Sequence, residues 1–567
     1  MSTMAAPESR TRTDEADPGA GWLRHRLAAG LASGLLCWTT FPPMEWGWLA
    51  WVALAPLFWL ATVRGAIGRT YLAAWAGGLV FWLLAVPWLR LIGPGAWIGW
   101  VVLAAVFSLW WPLFLAIARW ARWRLGAPLM IAAPISWVTV EYLRGYFLTG
   151  LPWYYAAHSQ YRNLYVIQIS DVTGSLGVSF LIAIVNAWLV DLVTTPIWRP
   201  APGAPRQMTP GHMARLWAVT ILVGATLGYG VYRIRTADFR PGPRVALLQS
   251  VLKQKDKFRR DPFQVQTRFH ALIRSAMSHE PRPDLVVWPE TSYPFSPFVL
   301  ADAKMDRAVL AEQVKEVSDG KMTLDAWLQK AEAVVHDLHA MADDYGVPML
   351  VGCGFWEHRL DRIHKFNTAL YFRPSSPAYE FYHKMHLVPF GEFIPLIDVL
   401  PILAALTPYR DKIPNLDRGD EPRTFQVGPY RVAPLICFED TISRVVGRFF
   451  RKGDPPDLIV TLSNDGWYPN SPELDAHLAV GVFRAIEHRV PMARAVNTGF
   501  SGLVDGNGEI VARLPKDVEQ ELTVDVPLDD RTTWYSQWGD WLGLSCLAVT
   551  IGWLPLGLFR PRRGLAG

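Results

Sequence analysis

Long hydrophobic runs dominate the first 233 residues and predict membrane-spanning helices. Seven of these runs approach the roughly 17–25 residues that a helix needs to cross a bilayer. An eighth lies near the C-terminus, and Trp and Tyr cluster near many of the ends, as at membrane interfaces. The approximate cores of the eight predicted spans are 26–40, 47–62, 71–89, 96–118, 128–142, 178–195, 216–234 and 541–559.

Arginines are concentrated in alternate loops between these spans. They precede the first span, follow the second and fourth, separate the sixth from the seventh, and follow the eighth. The positive-inside rule then places both termini in the cytoplasm and the long segment after the seventh span outside it. This orientation requires the fifth span to cross, although it carries Pro134 and ends at Glu141 and Arg144.

Four parts of the chain follow from this pattern. Residues 1–22 are polar and predict a disordered cytoplasmic N-terminus. Residues 23–235 predict a seven-span transmembrane domain, 236–535 an extracytoplasmic domain, and 536–567 the eighth transmembrane helix with a cytoplasmic tail. The expected membrane part is therefore an α-helical bundle of about eight spans.

The segment between the seventh and eighth spans alternates short β-rich runs with helical patterns. This alternation predicts a layered α/β domain. Helices are expected, for example, at 323–345 and 476–487. Strands are expected at 244–250, 284–290, 347–355, 367–372, 430–437, 457–464 and 492–505.

The composition agrees with a chain divided between lipid and water, since 51% of residues are hydrophobic and 20 of the 28 Trp precede residue 240. The net charge of +5 is modest for 567 residues, and no basic patch indicates nucleic-acid binding. Cys37 and Cys546 fall in predicted spans, which leaves Cys353 and Cys437 in the α/β segment. Without a CxxC pair, neither a zinc site nor a redox disulfide is favoured.

Three strand-like runs of the α/β segment lead to polar residues that could do chemistry. The stretch LVVWPET leads to Glu290, YEFYHKMH to Lys384, and PLICFED to Cys437. Rigid sheets commonly place catalytic groups at strand ends. A thiol needs a base to become a nucleophilic thiolate, and an ammonium group can stabilise negative charge in the transition state. Together the three side chains predict acyl transfer through a thioester.

Each of these residues also has a plain structural explanation when taken alone. A cysteine at a strand end is commonly an inert buried residue. A glutamate after Trp-Pro can cap a helix or lie on the surface, and a loop lysine is usually solvated. The joint occurrence of the three favours the catalytic interpretation.

The three motifs, in this order, resemble the Glu–Lys–Cys triad of the nitrilase superfamily. Three further stretches narrow the resemblance to its membrane-embedded branch, the apolipoprotein N-acyltransferase family: LSNDGWY at 462–468, the run at 484–510, and EYLRGYFLTGLPWYYAAHSQ at 141–160. The resemblance extends from about residue 30 to residue 559. It implies a nitrilase-like α-β-β-α sandwich in a bacterial inner-membrane protein, with the catalytic domain on the periplasmic side.

The family reaction implies a role for each residue. Cys437 would attack an acyl ester of a phospholipid, expected to be phosphatidylethanolamine, while Glu290 acts as general base and Lys384 stabilises the oxyanion. The acyl group would then pass, in a ping-pong reaction, to the N-terminal amine of a diacylglyceryl apolipoprotein. Glu392 and Glu439 match two further glutamates of the family, the first of which helps to hold the lysine. No metal and no cofactor is implied, and a monomer is expected.

Two residues depart from the family pattern, and one segment is unusual. Phe438 stands where the family often has Tyr, and Phe258 where it usually has Trp; both keep the ring, and both are predicted to bind substrate. The segment 396–409, LIDVLPILAALTPY, is apolar for a water-facing domain. It is either a buried helix or a mobile arm that admits lipid tails, with Leu403 and Leu406 as substrate-binding residues.

Two other functions remain open at this point. The same triad with water as acceptor would make a membrane-tethered amidase or lipid hydrolase. An inactive domain would leave a transporter or scaffold, which is disfavoured because the triad is complete and the spans carry few charges. An amine-dependent product, rather than a free acid, distinguishes the acyltransferase from the hydrolase.

Overall fold

The computed structural model describes residues 18–65, 67–93, 95–201, 204–252, 261–300, 305–397, 399–400, 415–451 and 453–559. Most of the predicted disordered N-terminus lies outside these residues. Three of the predicted substrate-binding residues, Phe258, Leu403 and Leu406, also lie outside them.

Helices occupy each stretch of the N-terminal half in which a span is predicted. The second predicted span is broken into a 3₁₀ turn, Gly47–Leu49, and two short helices. Between α10 and α11 the chain forms a hairpin of β1 (Trp198–Ala201) and β2 (Ala204–Met208). The helices are α1 Pro18–Thr39, α2 Ala50–Ala53, α3 Ala55–Leu60, α4 Ile67–Ala85, α5 Ala96–Phe107, α6 Trp110–Trp120, α7 Leu129–Arg144, α8 Leu164–Ile167, α9 Ser170–Thr173, α10 Ser175–Thr194 and α11 Pro210–Arg235.

Two β-sheets form the centre of the segment that follows. One sheet has the order β14-β13-β12-β11-β10-β9, with β10, β11 and β12 parallel. The other has the order β15-β3-β4-β6-β7-β8, with β5 paired to β6. The strands are β3 Phe239–Gln249, β4 Leu285–Val287, β5 Phe298–Leu300, β6 Met349–His358, β7 Ile363–Phe372, β8 Tyr379–His383, β9 Phe425–Val427, β10 Tyr430–Ile436, β11 Leu458–Ser463, β12 Met492–Val496, β13 Gly502–Val504, β14 Ile510–Arg513 and β15 Gln520–Asp529.

Helices lie between many of these strands along the chain and after the last of them. They are α12 Pro262–Met277, α13 Arg307–Val317, α14 Leu324–Tyr345, α15 Ser443–Val446, α16 Arg448–Arg451, α17 Glu473–His488 and α18 Trp534–Trp538, followed by α19 Trp541–Phe559. The predicted helices 323–345 and 476–487 are confirmed as α14 and α17. All seven predicted strand regions contain strands, although the region 492–505 is an antiparallel pair, β12 and β13, rather than one strand.

The alternation of side chains along the strands builds the layers. Val245 and Val287 belong to the core that the two sheets share. Their neighbours Ala246 and Val286 pack instead with Phe269 of α12. Helix α17 covers the other sheet, and all of its residues except Asp475 are buried because it lies between that sheet and the helices of the N-terminal half. The layers therefore follow the α-β-β-α order.

Five helices within the described part of the chain are long and apolar enough to cross a membrane. They are Ile67–Ala85, Ala96–Leu125, Ser175–Thr194, Pro210–Arg235 and Trp541–Phe559. The helices at the predicted spans 26–40, 47–62 and 128–142 do not meet the same standard of length and hydropathy. The structure thus supports a membrane-embedded part, and the number of eight spans stays a prediction.

Buried polar contacts hold the α/β domain on the helices of the N-terminal half. Arg489, which is fully buried, places its Nη2 2.7 Å from Asp171 Oδ2 and donates to Gln168 Oε1 at 2.6 Å. Arg444 donates to the carbonyl of Gly145 at 2.7 Å. Removing partners from buried charges is costly, so these contacts fix the relative position of the two parts.

Candidate active site

The cysteine predicted as nucleophile sits on a strained turn at the end of a central parallel strand. Strand β10 ends at Ile436, and Cys437 opens a 3₁₀ turn that runs to Thr441. Its φ of 53° is uncommon for a residue with a side chain and is a form of strain found at functional sites. All four cysteines are described; three are buried, and Cys437 is partly exposed.

The lysine predicted to stabilise the oxyanion is held between two glutamates. Lys384 directly follows β8 and is 1% exposed. Its Nζ lies 3.3 Å from Glu290 Oε1 and 3.0 Å from Glu392 Oε1. Burial alone would lower the pKa of Lys384, but the charges of Glu392 and Glu290 hold this pKa well above its usual value. The side chain is therefore a buried ammonium at neutral pH.

Glu290 reaches the site just beyond a short central strand of the second sheet. The predicted strand 284–290 ends at Val287, and Trp288 then stacks on Phe269 with ring centroids 4.0 Å apart. A side chain at Gly352 of β6 would collide with the carbonyl of Pro289, so a glycine is needed where the two backbones meet. This close approach places the Glu290 carboxylate beside Lys384.

Glu290 and Lys384, the two charged members of the predicted triad, both shift the pKa of the Cys437 thiol. Burial raises the pKa of Cys437 well above its usual value, and the negative charge of Glu290 raises it further. The Lys384 ammonium lowers it, but by less. In the resting protein the residue is therefore a thiol, and attack on a substrate requires a base to take its proton.

Glu392 and Glu439 hold the backbone around the lysine. Glu392 accepts from the backbone N–H of Val388 at 2.8 Å while its other oxygen faces Lys384. Glu439, fully buried, accepts from the backbone N–H groups of Met385 at 2.7 Å and His386 at 3.0 Å. Its remaining contacts are the N–H of Ile436 at 2.8 Å and the hydroxyl of Tyr382 at 2.9 Å. Glu439 thus joins the cysteine turn to the lysine loop.

We expect Glu439→Gln to destabilise the protein by about 1–3 kcal/mol, the cost of leaving a buried donor unsatisfied. The amide offers one acceptor oxygen where the carboxylate offers two, so at least one of the backbone N–H groups loses its partner. The apparent melting temperature in detergent measures the effect. Glu332→Gln, on the exposed face of α14, is the matched control and should leave that temperature unchanged.

A residue that the sequence analysis missed bridges the two carboxylates. Asn367 of β7 donates from Nδ2 to Glu290 Oε1 at 2.6 Å and to Glu392 Oε1 at 3.0 Å. Asparagine is depleted in strands, so its position inside the predicted strand 367–372 was a usable signal. The amide fixes both carboxylates around Lys384.

Aromatic side chains from the N-terminal half close one side of the site. Trp153, from the stretch at 141–160, lies with its ring centroid 6.3 Å from that of Phe438. Phe438 also stacks on His386 at 5.9 Å, which supports a packing role for its ring. Trp88 lies 5.5 Å from Trp153. The site therefore lies at the boundary between the α/β domain and the apolar helices.

The structure brings Glu290, Lys384, Glu392, Cys437 and Glu439 together around one turn, with Phe438 beside them. It also shows Cys353 as a buried residue of β6, where burial raises the pKa of its thiol above the usual value.

Family models match both parts of the chain. The model described as carbon-nitrogen hydrolase matches residues 244–536, which carry the site. The model described as apolipoprotein N-acyltransferase N-terminal domain matches residues 33–188.

Similar proteins include curated relatives that match almost end to end. A protein of Geobacter metallireducens named apolipoprotein N-acyltransferase is 29% identical over 93% of this chain and 94% of its own. One of Rhodopirellula baltica with the same name is 27% identical over 95% of this chain and 99% of its own. Among solved structures, the CN-hydrolase superfamily protein XC1258 of Xanthomonas campestris aligns with 58% of this chain and 100% of its own at 16% identity and a TM-score of 0.33.

Proposed function

The chain belongs to the carbon-nitrogen hydrolase family, and we propose that it acts as an apolipoprotein N-acyltransferase of the bacterial inner membrane. It moves a fatty acyl chain from a phospholipid to the N-terminal amine of a diacylglyceryl lipoprotein. The observation that carries the proposal is the buried Lys384 ammonium, held between Glu290 and Glu392 beside the partly exposed thiol of Cys437.

The first half-reaction loads the acyl group onto the enzyme. Glu290 takes the thiol proton of Cys437 as the sulfur attacks the carbonyl carbon of the phospholipid ester. The Lys384 ammonium stabilises the negative charge that develops on the carbonyl oxygen. The tetrahedral intermediate then collapses, the C–O bond breaks, and the leaving lysophospholipid oxygen receives the proton from Glu290. The enzyme is left as a thioester.

The second half-reaction transfers the acyl group to the lipoprotein. The free α-amine of the diacylglyceryl cysteine attacks the thioester carbonyl, and Glu290 takes a proton from the attacking nitrogen. The C–S bond breaks, and the sulfur of Cys437 recovers a proton from Glu290. Because the lysophospholipid leaves before the lipoprotein reacts, the two substrates bind in turn, in a ping-pong order.

The arrangement of the chain supports a site at the membrane surface. Trp88 and Trp153 of the helical part line the side of the site next to Phe438. We place the catalytic domain, residues 236–535, on the periplasmic side, with spans in 23–235 and 536–567 and both termini in the cytoplasm, because the arginine-rich loops alternate with arginine-poor ones. Phosphatidylethanolamine is the proposed donor, and the protein is proposed to act as a monomer.

The acceptor distinguishes this function from a hydrolase with the same triad. The full chain, reconstituted in vesicles that contain phosphatidylethanolamine, should convert a diacylglyceryl-cysteine peptide to a triacylated product and release one lysophospholipid for each. A peptide with its α-amine acetylated is the matched control and should give no product. Release of free fatty acid at the same rate with either peptide would favour the lipid hydrolase instead.

A further inference from the structure

A cluster of buried charged side chains lies behind the cysteine turn. Asp440 belongs to the turn itself, and Asp465 follows β11. Helix α17 contributes Glu473 and His477, and strand β12 contributes Arg494. All five are less than 5% exposed, and the proposed reaction uses none of them.

His477 is surrounded by carboxylates on both sides of its ring. Its Nε2 lies 2.8 Å from Asp440 Oδ1, and its Nδ1 lies 3.3 Å from Asp465 Oδ1 and 3.9 Å from Glu473 Oε1. A neutral imidazole has one N–H, and an ionised carboxylate can only accept. Two ring nitrogens that both face carboxylates therefore fit a doubly protonated, cationic ring. The Trp153 ring covers one face of this imidazolium, with centroids 5.7 Å apart.

The charges of the cluster cancel when His477 is a cation. Arg494 pairs with Asp440, so His477 offsets the remaining charge of Asp465. Burial raises the pKa of Glu473 well above its usual range, which favours the neutral acid. Burial would lower the pKa of His477, but Asp440 and Asp465 raise it to about 10. The ring keeps its proton throughout the neutral range.

The cluster reaches the nucleophile through Asp465. Its Oδ1 accepts from Ser463 Oγ at 2.6 Å. Both residues shift the pKa of Cys437: a hydrogen bond from Ser463 lowers it, and the charge of Asp465 raises it. Burial and Glu290 are the larger causes of the raised pKa of Cys437, and the negative charge of Asp465 adds to it. An uncompensated Asp465 would therefore oppose formation of the thiolate.

We propose that His477 is an electrostatic positioning residue for acyl loading: a permanent cation, held by Asp440 and Asp465, that cancels negative charge behind Cys437. The inference rests on the proposed role of Cys437 as nucleophile. His477 neither gives nor takes a proton in the reaction; the thiol proton still passes to Glu290. Its effect is to lower the energy of the thiolate and of the negatively charged transition state.

The rate at which iodoacetamide alkylates Cys437, followed on its peptide by mass spectrometry across pH 6–10, tests this effect without any lipid substrate. In the full-length protein, His477→Gln should slow alkylation at pH 7.5 by about tenfold and displace the profile upward by about one pH unit, the equivalent of one pKa unit. Glutamine keeps much of the size and polarity of histidine but not its charge.

A second substitution separates charge from structure. Asp465→Asn added to His477→Gln restores the balance of charge and should return the rate to within about threefold of the original protein, since half a pKa unit corresponds to that factor. Asp465→Asn alone should accelerate alkylation, because it removes a negative charge that raises the pKa of Cys437. A purely structural role for His477 predicts no recovery in the double variant.

Equal rates in His477→Gln and the original protein, or slow alkylation that the second substitution does not restore, would overturn the inference. If His477→Gln does not fold, the test is the alkylation rate of Asp465→Asn alone. An alkylation rate that does not rise in this variant refutes the electrostatic role. Failure of Cys437 to react in the original protein, with Cys437→Ser as the blank, would instead count against the proposed nucleophile.

Discussion

Lys384→Met should reduce the rate of acyl loading by at least about 10²–10³-fold, the usual cost of losing one group that stabilises an oxyanion. Methionine is close in size and apolar, so it fills the space without the charge. The variant should also lose about 3–5 kcal/mol of stability, because the buried Glu290 and the half-buried Glu392 would both lose their cationic partner. Rapid-quench measurement of the acylated enzyme gives the rate of acyl loading, and the apparent melting temperature gives the change in stability.

Lys315→Met is the matched control for this experiment. Lys315 lies on the exposed face of α13, where its Nζ is 3.7 Å from Glu312 Oε1 at the surface. Such pairs contribute little to stability, so both measurements should stay unchanged. A Lys384→Met protein that loads acyl groups at the original rate would show that the ammonium takes no part in the reaction.

Glu290→Gln should slow acyl loading at neutral pH by about 10²–10⁴-fold, the range typical of a lost general base. The physical reason is the raised pKa of Cys437: with burial holding the residue as a thiol, the amide cannot take its proton. The remaining rate should rise steadily with pH, because only the small thiolate fraction then reacts. Loading rates between pH 6 and pH 10 measure this change.

The control for Glu290→Gln is Glu312→Gln on the exposed surface of α13, which should keep the original pH profile. A pH profile in Glu290→Gln that stays parallel to the original one would mean that another group takes the proton. Asn367 cannot be that group, because an amide is not a base at these pH values.

Much of the α/β fold could be predicted because its signals are local. The runs at 430–437 and 457–464 are apolar and β-branched, and they became the neighbouring parallel strands β10 and β11. The region 492–505 was predicted as one β-rich run although it contains Asn497-Thr498-Gly499, which is itself a turn signal. The turn between β12 and β13 lies there, and Gly499 has a φ of 136°.

The membrane part shows the limit of length and hydropathy as signals. The run at 47–62 is apolar throughout, yet it folds as a 3₁₀ turn and the two short helices α2 and α3. Pro56, in the first turn of α3, interrupts the helical hydrogen bonding. A distant helix then satisfies the backbone at the break: the backbone N–H of Leu54 donates to Asn186 Oδ1 at 2.9 Å, and Asn186 donates back to the carbonyl of Ala50. A partner 132 residues away in sequence leaves no trace in the local pattern.

The predicted site residues were recognisable because each stands at the end of an apolar strand. The groups that hold them were harder to recognise, because their role depends on burial and on partners from distant elements. Asn367 and His477 show this difference: either would be an ordinary polar residue on an exposed face. The segment 396–409, predicted to be either a buried helix or a mobile arm, falls mostly outside the described residues, and the roles of Phe258, Leu403 and Leu406 stay predictions.

The most direct test of the account is the mass of the Cys437 peptide after the purified protein has been incubated with phosphatidylethanolamine. We expect a fatty acyl adduct on this peptide that hydroxylamine removes, that Cys437→Ala lacks, and that a diacylglyceryl-cysteine peptide discharges. A folded protein that shows no adduct while it still forms the triacylated product would contradict the thioester route.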